Sequence, residues 1–206
     1  MALDTYSELQ AAIIRWAMRT GDTEFAAEVP TFIELAESRI NRTLRVSDME
    51  TTTTTTLDDD GAMDLPEDFL ELRAFLGSGS PQYSLAPVTP AFAADEYAGA
   101  GAGTSYSYAI VGNNLTTFPA GTGDATLTYF AKVPALSDEE PTNWLLTKAP
   151  EVYLYGALME SAPYLMDDQR TVGWGTLFQK AIDDLHSQDR GARYSNVRAR
   201  VRGPTP

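Results

Sequence analysis

Cysteine is absent from the chain, and histidine occurs once, at His186. The first absence excludes a disulfide framework, thiolate chemistry and cysteine-ligated metal, and it suits a reducing compartment. The second leaves no partner imidazole for acid–base work and no nitrogen ligand set for a transition metal. His186 itself reads as a solvated residue on the polar side of the last helix. Apolar runs of about 18 residues are missing, so no segment is expected to span a bilayer. The opening MALDTYSELQ lacks the basic and apolar regions of a signal peptide. HExxH, GxSxG and nucleotide-loop patterns are not found. The alternating glycines Gly99, Gly101 and Gly103 lack the Lys-Ser/Thr that a P-loop requires, and read as a mobile loop. Asp58–Asp60 and Asp138–Glu140 read as turns and helix caps rather than cation sites. No catalytic centre, cofactor or metal is expected.

Charge of one sign is scarce over most of the chain. The net charge is −14, from 15 basic and 29 acidic residues. Residues 190–206 hold Arg190, Arg193, Arg198, Arg200 and Arg202 and no acid, which leaves −19 for the remainder. Such a body repels nucleic acid. The basic end suits an acidic or carbonyl-rich partner. Of its possible roles, docking on protein ranks above solvated charge, and both rank above gripping nucleic acid, since Tyr194 is the only aromatic nearby.

What the chain does have is helical periodicity at both ends. Trp174, Leu177, Phe178, Ala181, Ile182 and Leu185 share one helical face. Val152 to Met159 is apolar on most sides, as in a buried helix, and Pro150 suits its first turn. Two antiparallel helices joined at Asp167–Asp168 are expected within Thr142–Asp189. Near the start, Thr5 and Glu8 form a capping-box pattern ahead of Leu9, Ile13 and Trp16 or Ala17, predicting a helix over 5–20 stopped by Gly21. A short turn to Ala26 and a new helix from Pro30 follow, with Ile33, Ala36, Ile40 and Leu44 on its apolar stripe.

Between these ends the pattern is that of strands. Thr51–Thr56 is a threonine run suited to a strand, and Asp58–Gly61 is a turn signal. Strands are predicted at 62–65, within 70–76, around Tyr106–Ile110, at 115–118 and at 125–133, with a short helix at 90–97. The fold class is therefore α+β. A discontinuous antiparallel helical bundle (1–46 and 142–189) carries an inserted small antiparallel β module (47–141) and an extended basic C-terminal tail (190–206). Leu9, Ile13, Trp16, Ile33, Ile40, Trp174, Leu177, Phe178, Ile182 and Leu185 are the expected helical core.

Several stretches in order, PTFIELAESRINRTLR, LPEDFLELRAF, YAIVGNNL, LTYFAKVPALSDEEPTNWLL and APEVYLYGALMESAPYL, resemble the head-to-tail adaptor proteins of tailed bacteriophages and gene transfer agents. The resemblance covers roughly residues 5–189. It implies a virion structural protein of the neck, made in the host cytoplasm, with no enzymatic activity. A dodecameric ring beneath the portal is implied, which extends the DNA channel without sequence-specific binding and presents a surface to tail or nozzle proteins. The segment with Arg190, Arg193, Tyr194, Arg198, Arg200 and Arg202 would climb onto the portal. A tail-completion or nozzle protein is the runner-up, and a tail-borne cell-wall hydrolase is the rival from another class.

Overall fold

Thr5 starts the first helix as its spacing predicts. Its hydroxyl accepts from the Glu8 N–H, and the Glu8 carboxylate accepts from the Thr5 N–H at 3.1 Å. We describe the molecule from a computed structural model, covering residues 3–77, 82–166 and 168–194. The chain divides into two units, one built from its two ends (up to Ser47 and from Val133 onward), the other Asp48–Lys132.

In the helical unit α1 spans Tyr6–Trp16 and α2 spans Thr23–Thr43. Helix α1 stops short of the expected Thr20. Met18 takes a left-handed backbone (φ 58°), its N–H bonds to the Arg15 carbonyl, and the Arg19 N–H reaches back to Ile14. That pair of bonds is the glycine-type helix stop, here with methionine in the position where glycine was expected three residues later. Helix α2 corrects a second expectation. Pro30 lies inside one continuous helix capped by Asp22, whose carboxylate accepts from the Phe25 N–H at 3.0 Å. Phe25 and Val29 before the proline, and Phe32, Ile33 and Ala36 after it, are all buried. Burial on both sides of Pro30 outweighs the ~3 kcal/mol that an internal proline costs.

The chain re-enters this unit at Val133. The Val133 N–H donates to Asn41 Oδ1 at 2.9 Å and the Leu136 N–H to Glu37 Oε1 at 2.8 Å, so residues 133–136 lie along α2 and belong with the helices rather than with the β insertion. Helix α4 (Trp144–Lys148) is capped by Asn143, and α5 (Pro150–Ser161) begins on Pro150. Helix α6 runs Asp168–Tyr194. The predicted joint at Asp167 lies outside the described residues.

Helix α5 packs against α1, α2 and α6 and is buried nearly all round, including Val152, Tyr153, Leu154, Ala157 and Leu158. Gly156 makes this possible. A Cβ there would sit 3.1 Å from Ala36 Cβ and 3.2 Å from the Phe178 ring, so α2 and α6 both approach α5 at one residue. Tyr153 is fully buried, and its hydroxyl accepts from Asn143 Nδ2 at 2.7 Å. Burial pushes the Tyr153 phenol well above its ordinary pKa.

Among its described residues the other unit holds eight strands and one α-helix: β1 (Glu50–Leu57), β2 (Ala62–Asp64), β3 (Phe69–Gly77), β4 (Tyr83–Ser84), β5 (Ala86–Pro87), α3 (Pro90–Glu96), β6 (Ser107–Val111), β7 (Asn114–Phe118) and β8 (Gly123–Ala131). Two four-stranded sheets result, ordered β1-β8-β3-β4 and β2-β7-β6-β5. Among the described residues only β5 and β6 pair in parallel. The threonine run is a strand: Glu50 faces Phe130 and the ladder continues without a break to Leu57 opposite Gly123. Met63, Leu65, Phe75, Leu85, Leu115, Leu127 and Tyr129 form one apolar cluster shared by the sheets. At the β1–β2 turn the Asp58 carboxylate accepts from the Asp60 and Ala62 N–H groups, which gives it the turn role. Gly61 (φ 72°) is required here, since a Cβ would lie 2.7 Å from Thr117 Oγ1 and 2.9 Å from the Ala120 backbone. The fold is α+β, with mostly antiparallel sheets.

Candidate functional site

The C-terminal part of α6 carries the first cluster of interest. Apolar spacing in α6 buries Phe178, Ala181, Ile182 and Leu185, and continues the helix past the expected boundary at Asp189. Arg190 and Arg193 are therefore helical, and the extended tail does not begin at residue 190. Asp189 holds the segment after α2: it accepts from the Ser47 N–H at 2.8 Å, from the Ser47 hydroxyl, and from Arg193 Nε at 2.8 Å. Partial burial alone would raise the Asp189 pKa, but the bonds from Ser47 and the Arg193 charge outweigh it, and the net shift is downward.

One turn earlier, His186 Nε2 accepts from the Arg45 N–H at 3.3 Å. The expected solvated histidine is half-buried instead, because residues 44–47 cover that side of α6. Of the proposed tail residues, Arg190 is exposed and Arg193 is engaged by Asp189. Tyr194 closes α6. Arg198, Arg200 and Arg202 lie outside the described residues.

The expected helical core divides. Leu9, Ile13, Ile33, Ile40, Phe178, Ile182 and Leu185 are buried. Trp174 is half-buried, while Trp16 is 43% and Leu177 38% exposed, so neither of these two is a core residue. Both tryptophans belong to an aromatic cluster with Tyr155 on α5. Tyr155 and Trp174 stack at 6.1 Å, and Trp16 tilts against each, at 6.2 and 6.0 Å. A shallow groove of about 570 Å³ opens beside it, lined by Arg15, Trp16, Met18, Arg170 and Trp174. Spacing in α1 allows either Trp16 or Ala17 the inward position; Ala17, 6% exposed, takes it, and Trp16 lies at the rim.

The β unit has a larger cavity, about 630 Å³, lined in part by Ala102–Ser105, Ala120–Thr122, Phe75 and Tyr83. The glycine-rich loop that forms one wall is tied at its end by the Gly103 N–H to the Ala120 carbonyl at 2.9 Å. The ionisable side chains in the lining are Tyr83 and Asp124, and Asp124 accepts from the Thr56 hydroxyl at 2.8 Å. The remaining polar groups of the lining are the hydroxyls of Thr104, Ser105 and Thr122; Ser105 is committed to Thr117 and to the Pro119 carbonyl. Among the described residues no three His, Cys, Asp or Glu side chains converge as metal ligands, and no helix is long and apolar enough to cross a membrane.

Residues 4–202 match the SU10 adaptor protein family. The chain belongs to that family. It is a phage structural adaptor, and a virion component whose work is contact with other phage proteins. The SU10 adaptor match runs through both units and beyond α6, so it takes in Arg198, Arg200 and Arg202 as well as the helical core. No curated protein matches the sequence as a relative.

Proposed function

We propose that this SU10 adaptor protein is a head-to-tail adaptor of the phage neck. Copies assemble into a ring, dodecameric by resemblance, beneath the portal. The ring extends the DNA channel and offers its other side to tail or nozzle proteins. It performs no catalysis: its partners are the portal, the tail proteins and neighbouring copies. The β unit is the inserted module that reaches tail proteins, and the helical unit carries the contacts between copies.

The observation that carries this reading is the family match over residues 4–202. Charge supports the division of labour. A body of −19 resists adhesion of DNA that must pass through the ring, while the arginines after Asp189 supply the one basic segment, for the portal. A ring presents many such segments together, so individually weak contacts sum to a firm one.

The test compares the full chain with one ending at Tyr194. That truncation leaves α6 and the Asp189–Arg193 pair in place and removes Arg198, Arg200 and Arg202. Both forms are expected to show the same helical signal, and only the full chain to co-purify with portal rings at moderate salt. Equal portal binding by the shortened chain would move docking onto the helical unit.

A further inference from the structure

The groove beside the aromatic cluster has the composition of an interface rather than of an ordinary surface. Tryptophan, methionine and arginine are the residue types enriched at the buried centre of protein–protein contacts, where acidic residues and lysine are depleted. This groove is lined by two tryptophans, one methionine and two arginines. Met18 is 79% exposed at its mouth, on a left-handed backbone that turns it out from the end of α1. Arg19, next in the chain, is exposed too. On a chain of net charge −14 this end of the helical unit collects basic and apolar groups.

A complementary surface lies on the same chain. The outward face of α2 exposes Glu24, Glu28, Thr31, Glu34, Leu35 and Ser38, at spacings that keep them on one side of the helix. Leu35, 46% exposed, is the one large apolar group on that face, and glutamates lie before and beside it. An apolar knob among acids matches an apolar groove among arginines in both shape class and charge sign. Because the two surfaces differ, their pairing is head-to-tail, the kind that closes into rings.

We infer that the Trp16–Met18–Trp174 groove of one copy receives the Leu35-centred acidic face of α2 from a second copy. This rests on the reading of the chain as a ring-forming adaptor and names the surfaces that join its subunits.

The absence of native cysteine makes a direct test available. The full chain carrying Met18→Cys and Leu35→Cys together is oxidised at high protein concentration and run without reductant. A ladder of dimers, trimers and longer species is expected, and it should be missing from each single-cysteine variant. No ladder, or dimers from a single variant that equal those of the double, would overturn the inference. Association measured by sedimentation supplies a second arm. Met18→Asp and Glu28→Lys alter exposed positions and should leave the helical signal unchanged. Each should weaken self-association about tenfold, and the two together should recover most of it. Wild-type association in both single variants also sinks the interface. A protein located at the neck of the particle that gives no ladder loses this interface and keeps the adaptor role. One that ladders but is absent from the neck does the reverse.

Discussion

The two units of this protein are built on opposite plans. The helical unit assembles its core from the two ends of the chain, so that Ala36, Gly156 and Phe178 meet at one point although they are far apart in sequence. The β unit is one uninterrupted stretch, and all its ladders, from the β6–β7 hairpin to the longer-range β2–β7, β3–β8 and β1–β8 pairings, close within it. The helical core consists of large, fully buried side chains, among them Tyr153, Phe25, Leu9 and Ile13. The β unit surrounds a smaller cluster with half-buried residues such as Tyr83, Tyr108 and Phe69. The lesson concerns coupling. Damage in the helical unit should spread to both ends of the chain, while damage in the β unit should stay local.

The most severe test of that contrast is Phe178→Asp. It places a carboxylate against Gly156 in a site 3% exposed, and should cost about 3–5 kcal/mol. Helical signal is expected to melt early while the sheet signal persists. A single transition in which both vanish together would break the contrast, and an unchanged melting temperature would refute the packing of α6. Gly61→Ala is the matching lesion in the β unit. Its left-handed backbone and the contact with Thr117 point to a loss of about 2–3 kcal/mol. Amide exchange should quicken in β2 and β7 and stay constant in α5.

The smallest effect is a matter of pH. Burial pushes the Glu37 carboxyl up to about 7, with repulsion from Glu34 adding to it and the Leu136 N–H opposing it. A carboxyl raised on folding binds its proton more tightly in the native state. Its favourable contribution is therefore complete below the ordinary value of 4.5 and disappears as pH climbs through about 7. Glu37→Gln keeps an acceptor for Leu136 and removes the charge. It should stabilise the helical unit by about 1–2 kcal/mol at pH 8, after allowance for solvent screening, and by little at pH 5. Chemical denaturation at the two pH values reads this directly, and equal gains at both would assign the benefit to something other than ionisation.

Much of this fold is legible in the sequence because its signals are local. The Thr5–Glu8 box, the threonine strand, the Asp58–Gly61 turn and the periodic run around Phe178 each act within a few residues. Where reading fails, a distant partner decides. Pro30 reads as the start of a new helix, yet residues buried against other helices carry α2 through it from Thr23. Val133 looks like the end of a strand until Asn41 takes its N–H group, and Glu37 takes that of Leu136. Strands β4 and β5 are two residues each, too short for any period to register. His186 looks solvated because nothing nearby in sequence announces the Arg45 N–H that it accepts. The groove at Trp16 and Met18 was hidden for a similar reason: the face of a helix can be read from its spacing, but a stop imposed by a left-handed methionine cannot.

The ladder between β1 and β8 has a consequence for how the chain finds its form. The first and last strands of the β unit lie side by side, so the polypeptide leaves the helices and returns to them through a gateway about one strand spacing wide. Once that ladder has closed, the long stretch Asp48–Lys132 imposes on the helices no more search than a short connection would, each halving of the effective tether being worth ~0.6 kcal/mol. The same gateway makes the insertion a cassette. Its strands and loops can be lengthened, shortened or exchanged, and the helices still meet the same two ends at the same separation.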